Sequence, residues 1–229
     1  MSRWNLDPPL LGLLAFAAFA YVGVAPARSP AQRMFFAAGF AVLVLGFVSP
    51  LCALSSALFS ARVVHHVLLS VVAAPCLVYA FAPERLTFPG SPAFWTAVHA
   101  GVFWAWHAPA AYGWALSNDA VYWVMQATLL GTALAFWAAV RRASAPAAVA
   151  GLLAVMVSMG LLGALLTFAA EPLYAPHLFT TAAWGLSPLV DQQLAGLIMW
   201  APAAGVYLIA ALVLLGRWLG PDVVAETAL

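Results

Sequence analysis

The sequence predicts an all-α polytopic membrane bundle of seven transmembrane helices, with the N-terminus outside and the C-terminus cytoplasmic. Three observations predict it. The 229 residues are 66% hydrophobic and only 7% charged, with a mean hydropathy of +1.02, far outside the range of a soluble domain. Apolar stretches recur at lengths near the roughly 20 residues that cross a hydrocarbon core. The arginines gather at alternate joints between those stretches. Lipid offers no partners to backbone N–H and C=O groups, so the spanning segments must be helices.

The first stretch, 8–26, follows "MSRWNLDPP", where Arg3 is balanced by Asp7. The "APA" at Ala25 to Ala27 imitates a signal-peptide cleavage site, but that balanced leader is not the basic one of a signal peptide, and a retained helix is expected. Stretches at 34–54, 64–82, 92–110, 119–140, 147–169 and 192–216 complete the set, separated by joints such as "PARSPAQR", "APERLTFPGSP" and "RRASAP". The uncharged segment 172–190, "PLYAPHLFTTAAWGLSPLV", contains three prolines and reads as an interfacial loop before the last helix. Arg28, Arg33, Arg85, Arg141, Arg142 and Arg217 then share one side, against Arg3 and Arg62 on the other, which places the larger group in the cytoplasm. With no repeat and only short joints, residues 1–229 form a single membrane domain.

Several function classes are disfavoured. A net charge of +1 gives no footprint for nucleic acid, and a chain without lysine cannot form a retinal Schiff base. No nucleophile motif, phosphate loop or acid/base carboxylate pair is present, so enzyme activity is not expected. Cys52 and Cys76 belong to different predicted helices at different depths, and no disulfide is expected between them.

Most of the chemically capable side chains converge on the outer half. His65 and His66 open the third span, His107 closes the fourth, His177 lies in the 172–190 loop, and Asp191 with Gln192 begins the last span. His99 lies eight residues from His107, which is ~12 Å deeper and ~80° around the helix, and has no histidine partner at that depth. Trp104, Trp106, Tyr112, Trp114, Tyr122, Trp123, Tyr174 and Trp184 read as an interfacial aromatic belt. Ionisable groups inside a membrane mark functional sites by default. Imidazoles with nearby thioethers favour copper(I), and Met125, Met156, Met159 and Met199 supply sulfur. Met199 shares a helix face with Gln192; Cys52, near the outer end of the second span, could join the set. The competing ligand is haem, held between His66 and His107.

Four segments carry a resemblance. "SARVVHHVLLSVVAAPCLVYAFAP", "WHAPAAYGWAL", "PLYAPHLF" and above all "GLSPLVDQQLAGLIMWAPA" resemble the signature stretches of CtaG-type cytochrome c oxidase assembly factors, bacterial integral membrane proteins of the caa-type oxidase class. The likeness runs from about residue 44 to residue 216. It implies a role in maturing a haem–copper oxidase at the copper-handling stage, on the outer face of the bacterial inner membrane. The implied partners are oxidase subunits or other copper chaperones. By motif position, His66, His107 and Asp191 are the implied functional residues. One position departs: the family pattern places a second histidine four residues before His66, and Arg62 stands there. His65 points ~100° away from His66 and does not replace it. The expected metal set is His66, His107, His65, Asp191, Met199 and His177. Arg62 and Gln192 are expected to be structural, with Arg62 pairing with Asp191 to join two helices. A metal-free scaffold is the corresponding alternative.

Overall fold

The computed structural model describes residues 3–24 and 28–220. The expectations attached to Ala25–Ala27 and to the C-terminal end fall outside the described residues. Four helices start at the same dipeptide, Ser-Pro, at Ser29, Ser49, Ser91 and Ser187. In each, the serine hydroxyl accepts a hydrogen bond from a first-turn amide, at 3.2 Å from Gln32, 3.2 Å from Leu51, 3.1 Å from Phe94 and 3.2 Å from Val190. Proline follows without cost because its missing N–H would have been unpaired there. Asn118 caps a fifth helix through Val121 N at 3.1 Å.

The helices are α1 (Pro8–Val24), α2 (Pro30–Phe47), α3 (Pro50–Ala57), α4 (Phe59–Ala80), α5 (Pro92–His107), α6 (Pro109–Ser117), α7 (Asp119–Arg142), α8 (Ala145–Thr167) and α9 (Pro188–Trp218). No strand occurs among the described residues. Five of them, α2, α4, α7, α8 and α9, are long and apolar enough to cross a membrane. Two of the expected spans are shorter: α1 has 17 residues, and α5 has 16, about 24 Å of helix. The expected helix 34–54 is broken at Ser49, whose extended backbone and following Pro50 start α3 anew. No long helix forms within 172–190, which contains two 3₁₀ turns, Ala175–His177 and Ala182–Trp184, before α9 begins. Gly185 ends the second turn in the left-handed conformation, φ 73°, which suits a residue without Cβ.

Two long helices contain π segments, Leu68–Ala73 in α4 and Met199–Ala203 in α9. Pro75 follows the first and Pro202 lies inside the second. A proline ring clashes with the carbonyl four residues back in a regular α-helix, and the wider turn gives it room. The principal core lies among α4, α5, α7, α8 and α9, while α1 and α2 form a second cluster with Leu69 through Leu10, Leu14 and Phe47.

The contact of α8 with α9 is closest at two glycines. A Cβ on Gly163 would stand 2.7 Å from the Gly196 carbonyl oxygen and 2.9 Å from Trp200 N, both backbone atoms that cannot turn aside. Small residues of this kind allow membrane helices to approach backbone to backbone. Gly163→Ala is therefore expected to cost about 1–3 kcal/mol through overpacking. Thermal unfolding in detergent measures it, with Gly101→Ala, which has open space around it, as the neutral control.

Candidate functional site

The site is organised at the start of α4. Leu58 precedes this helix and has no side chain able to cap it. The first amides are taken instead by Asp191, from the first turn of α9 and 132 residues away. Its carboxylate accepts from Phe59 N at 2.6 Å, from Ser60 N at 3.2 Å and from the Ser60 hydroxyl. One buried charge thus faces the positive ends of two helices. Arg62, on the next turn of α4, is equally buried but has other partners. Its Nε donates to Ser55 O at 3.1 Å and an Nη to the Tyr122 hydroxyl at 3.4 Å, with the guanidinium 5.1 Å from the Tyr122 ring centre. The expected Arg62–Asp191 pair is replaced by these two separate sets of contacts, because the helix amides reach the carboxylate first.

One turn below Arg62, His66 meets His107 of α5 with ring centres 5.6 Å apart and ring planes at 85°. His107 donates from Nδ1 to Phe103 O at 2.7 Å, which fixes the tautomer and leaves Nε2 as a lone-pair acceptor. His107 Nε2 and both nitrogens of His66 are buried without a hydrogen-bond partner. His65 turns the other way, its ring 4.9 Å from that of Phe47. Both of its nitrogens are also unpartnered. Gly46 makes this possible, since a Cβ there would stand 2.9 Å from His65 Nε2. Met199 is fully buried in the core cluster that includes Phe59, Val63 and Phe103. Cys52 lies in α3, where its Sγ is 3.9 Å from Asn5 Nδ2.

The loop between α8 and α9 is fastened over this region. Tyr174 donates to His107 O at 2.7 Å and stacks on Phe59 with ring centres 3.8 Å apart. Gln192 accepts from Leu173 N at 2.7 Å and donates to Glu171 O at 3.3 Å. His177 donates from Nδ1 to Ala57 O at 3.2 Å, and its Nε2 accepts from the Tyr112 hydroxyl at 2.7 Å. Both nitrogens are committed, so His177 is a strut of the loop rather than a member of the expected ligand set. Burial lowers its pKa, and Arg62 acts the same way, while the Ala57 hydrogen bond and the Asp191 charge oppose the shift. Burial likewise raises the Tyr174 phenol, with Tyr112 adding to the shift. Among the described residues, no three His, Cys, Asp or Glu side chains group to hold a metal ion.

The sequence profile of the cytochrome c oxidase caa3 assembly factor family (Caa3_CtaG) matches residues 13–220. The chain belongs to this family. No curated protein and no solved structure is detectably similar to it. The family match extends beyond the quoted signature stretches to include most of α1 and all of α2. The function of the family is cytochrome c oxidase assembly.

In this family member, sequence reasoning missed several polar residues. Tyr112 and Tyr174, expected in the interfacial belt, are buried and hydrogen-bonded, whereas Trp114, Trp123 and Trp184 of that set are exposed. The tyrosines' place in "WHAPAAY" and "PLYAPH", beside candidate histidines, was the available signal. Gln126 is buried with both side-chain polar atoms unpartnered, and nothing local marked it. His99 does have deep partners, Thr132 at 3.2 Å and the Tyr207 hydroxyl at 3.4 Å, though neither is a histidine.

Two outcomes are expected. Asp191→Ala strands two buried amides and the Ser60 hydroxyl, a loss of about 3 kcal/mol or more, while Asp191→Asn retains one acceptor oxygen and loses less. Thermal unfolding in detergent ranks them, and Ser60→Ala combined with Asp191→Ala should fall short of additivity. For His177, the folded state binds fewer protons than the unfolded one. Its contribution is therefore full above the unfolded pKa of about 6.5 and is lost as pH falls toward the lower folded value. His177→Gln should flatten the decline in unfolding temperature on acidification below that pH.

Proposed function

We propose that the chain serves cytochrome c oxidase assembly by carrying copper(I) as cargo between His66 and His107 and passing it to an oxidase subunit. The observation that supports this reading is the buried imidazole pair: three nitrogens on two facing rings, 5.6 Å apart between centres, with no hydrogen-bond partner. A buried polar atom left unpaired costs about 1–3 kcal/mol, and a soft monovalent cation that accepts one lone pair from each imidazole removes that cost for two of the three nitrogens. His107 carries the backbone bond typical of a metal-binding histidine. Met199 is one of three buried thioethers in the same core, with Met125 and Met159, and His65 is a further donor on the adjacent position. Transfer is ligand exchange; the metal keeps its charge and no electron moves, so the role is non-catalytic. The Arg62 cation one turn from His66 weakens cation binding and suits a transient hold.

The proposal includes seven spans, with α1 and α5 crossing as shorter helices, the N-terminus outside, and residence in the bacterial inner membrane. The six-to-two arginine distribution supports that orientation. Haem between the same histidines is the poorer reading, because two perpendicular rings in near contact leave no flat slot for a macrocycle.

Purified protein loaded with copper(I) should contain near-stoichiometric copper by elemental analysis and show no Soret band. His66→Ala and His107→Ala should each lower bound copper about tenfold or more, with the double variant little worse than either. Unchanged copper in the double variant sinks the cargo reading, and a Soret band from wild type replaces it with haem. For orientation, a cysteine introduced between residues 28 and 33 in a Cys52/Cys76-free background should resist a membrane-impermeant thiol reagent in intact cells. Labelling before lysis inverts the topology.

A further inference from the structure

The opposite end of the molecule holds a cavity that the copper reading does not use. About 610 Å³ lies between α1, α2 and the end of α4, within the range of small-molecule sites. Its walls are aliphatic and aromatic along one direction: Phe36, Phe40 and Leu43 follow one another down α2 over ~10 Å, opposite Leu77 of α4. Tyr21 stacks on Phe36 with ring centres 3.7 Å apart. Its hydroxyl lies 3.0 Å from Gln32 O and 3.3 Å from Ala80 O, so it is already satisfied.

The charge lies at one end only. Arg28 and Arg85 line the mouth. The Arg28 guanidinium sits 5.3 Å from the Phe81 ring centre, and its Nε is buried with no hydrogen-bond partner among the described residues. Arg85 is exposed at the rim. The neighbouring Arg141 is in a different situation, donating to Val78 O at 2.8 Å and Phe81 O at 2.7 Å, where it closes the end of α4. Two cations at the mouth of an apolar channel, one with a buried donor to spare, match a molecule with an anionic head and a hydrocarbon tail. In a bilayer that molecule is a phospholipid, and arginine pairs with phosphate oxygens through charge-assisted hydrogen bonds.

We infer that this cavity is a binding site for an anionic phospholipid, its phosphate held by Arg28 and Arg85 and one acyl chain lying along Phe36, Phe40 and Leu43.

The test uses full-length protein, purified in detergent and delipidated, titrated with phosphatidylglycerol or with phosphatidylcholine of the same chain length. Native mass spectrometry counts bound lipid and thermal unfolding follows stabilisation. Phosphatidylglycerol should bind about tenfold more tightly than phosphatidylcholine. The double substitution Arg28→Gln and Arg85→Gln should abolish that preference without changing the lipid-free unfolding temperature. Ala17→Trp and Leu43→Trp, made separately on opposite walls, should exclude the acyl chain and abolish phosphatidylglycerol binding although both arginines remain. Equal affinity for the two lipids, retained preference in the arginine variant, or unchanged binding in both tryptophan variants overturns the site. So does equal stabilisation by inorganic phosphate alone, which would make it an anion site without a lipid.

Discussion

The Asp191 carboxylate holds one half of this molecule together. It is buried at the first turn of one membrane helix and satisfies the first amides of another, which has no capping residue of its own. A helix terminus in a low-dielectric environment must find acceptors or donors for its free groups. Once Phe59 and Ser60 are held, the position of α4 relative to α9 is fixed, and His65 and His66 follow from the helix geometry. Phe59 itself serves twice: its amide takes the carboxylate, while its ring provides the surface on which Tyr174, and through it the outer loop, is stacked.

That arrangement divides labour among residues that look alike in the sequence. Of the histidines at this end of the bundle, His177 is consumed by two hydrogen bonds and holds a loop, whereas His66 and His107 face one another with donor capacity left over. Arg62 braces α3 and α7 through Ser55 and Tyr122. The loop completes the enclosure, its tyrosine bonded to the carbonyl of the same His107 whose ring faces His66.

Local signals in the sequence were reliable for the arginine-rich joints and for the refusal of a long helix across 172–190. The Ser-Pro starts, which depend on residues within a turn of one another, were not used, and they shift the starts of α2 and α9 from 34 and 192 to Pro30 and Pro188. The break at Ser49 obeyed the same rule but was masked by the continuous apolar composition on either side. The partners of Asp191, His177 and Arg62 lie far away in sequence, and no periodicity announces a carboxylate that caps somebody else's helix. Residue type gathered the candidate side chains toward one end of the bundle; only tertiary contact decided which imidazoles had spare nitrogens.

The π segment in α4 carries a consequence for register. A π turn accommodates one residue more than the regular helix it interrupts, so the two halves of α4 are offset in phase by about 100° relative to an uninterrupted helix. His66 belongs to the half before the offset, and the Pro75 half, which packs against α2 and α7, belongs to the other. The segment therefore works as a phase shifter between a face aimed at His107 and a face packed against α2 and α7. A one-residue deletion within 68–73 would remove the wider turn that gives Pro75 room and would rotate His66 by about 100° away from His107 relative to the Pro75 half.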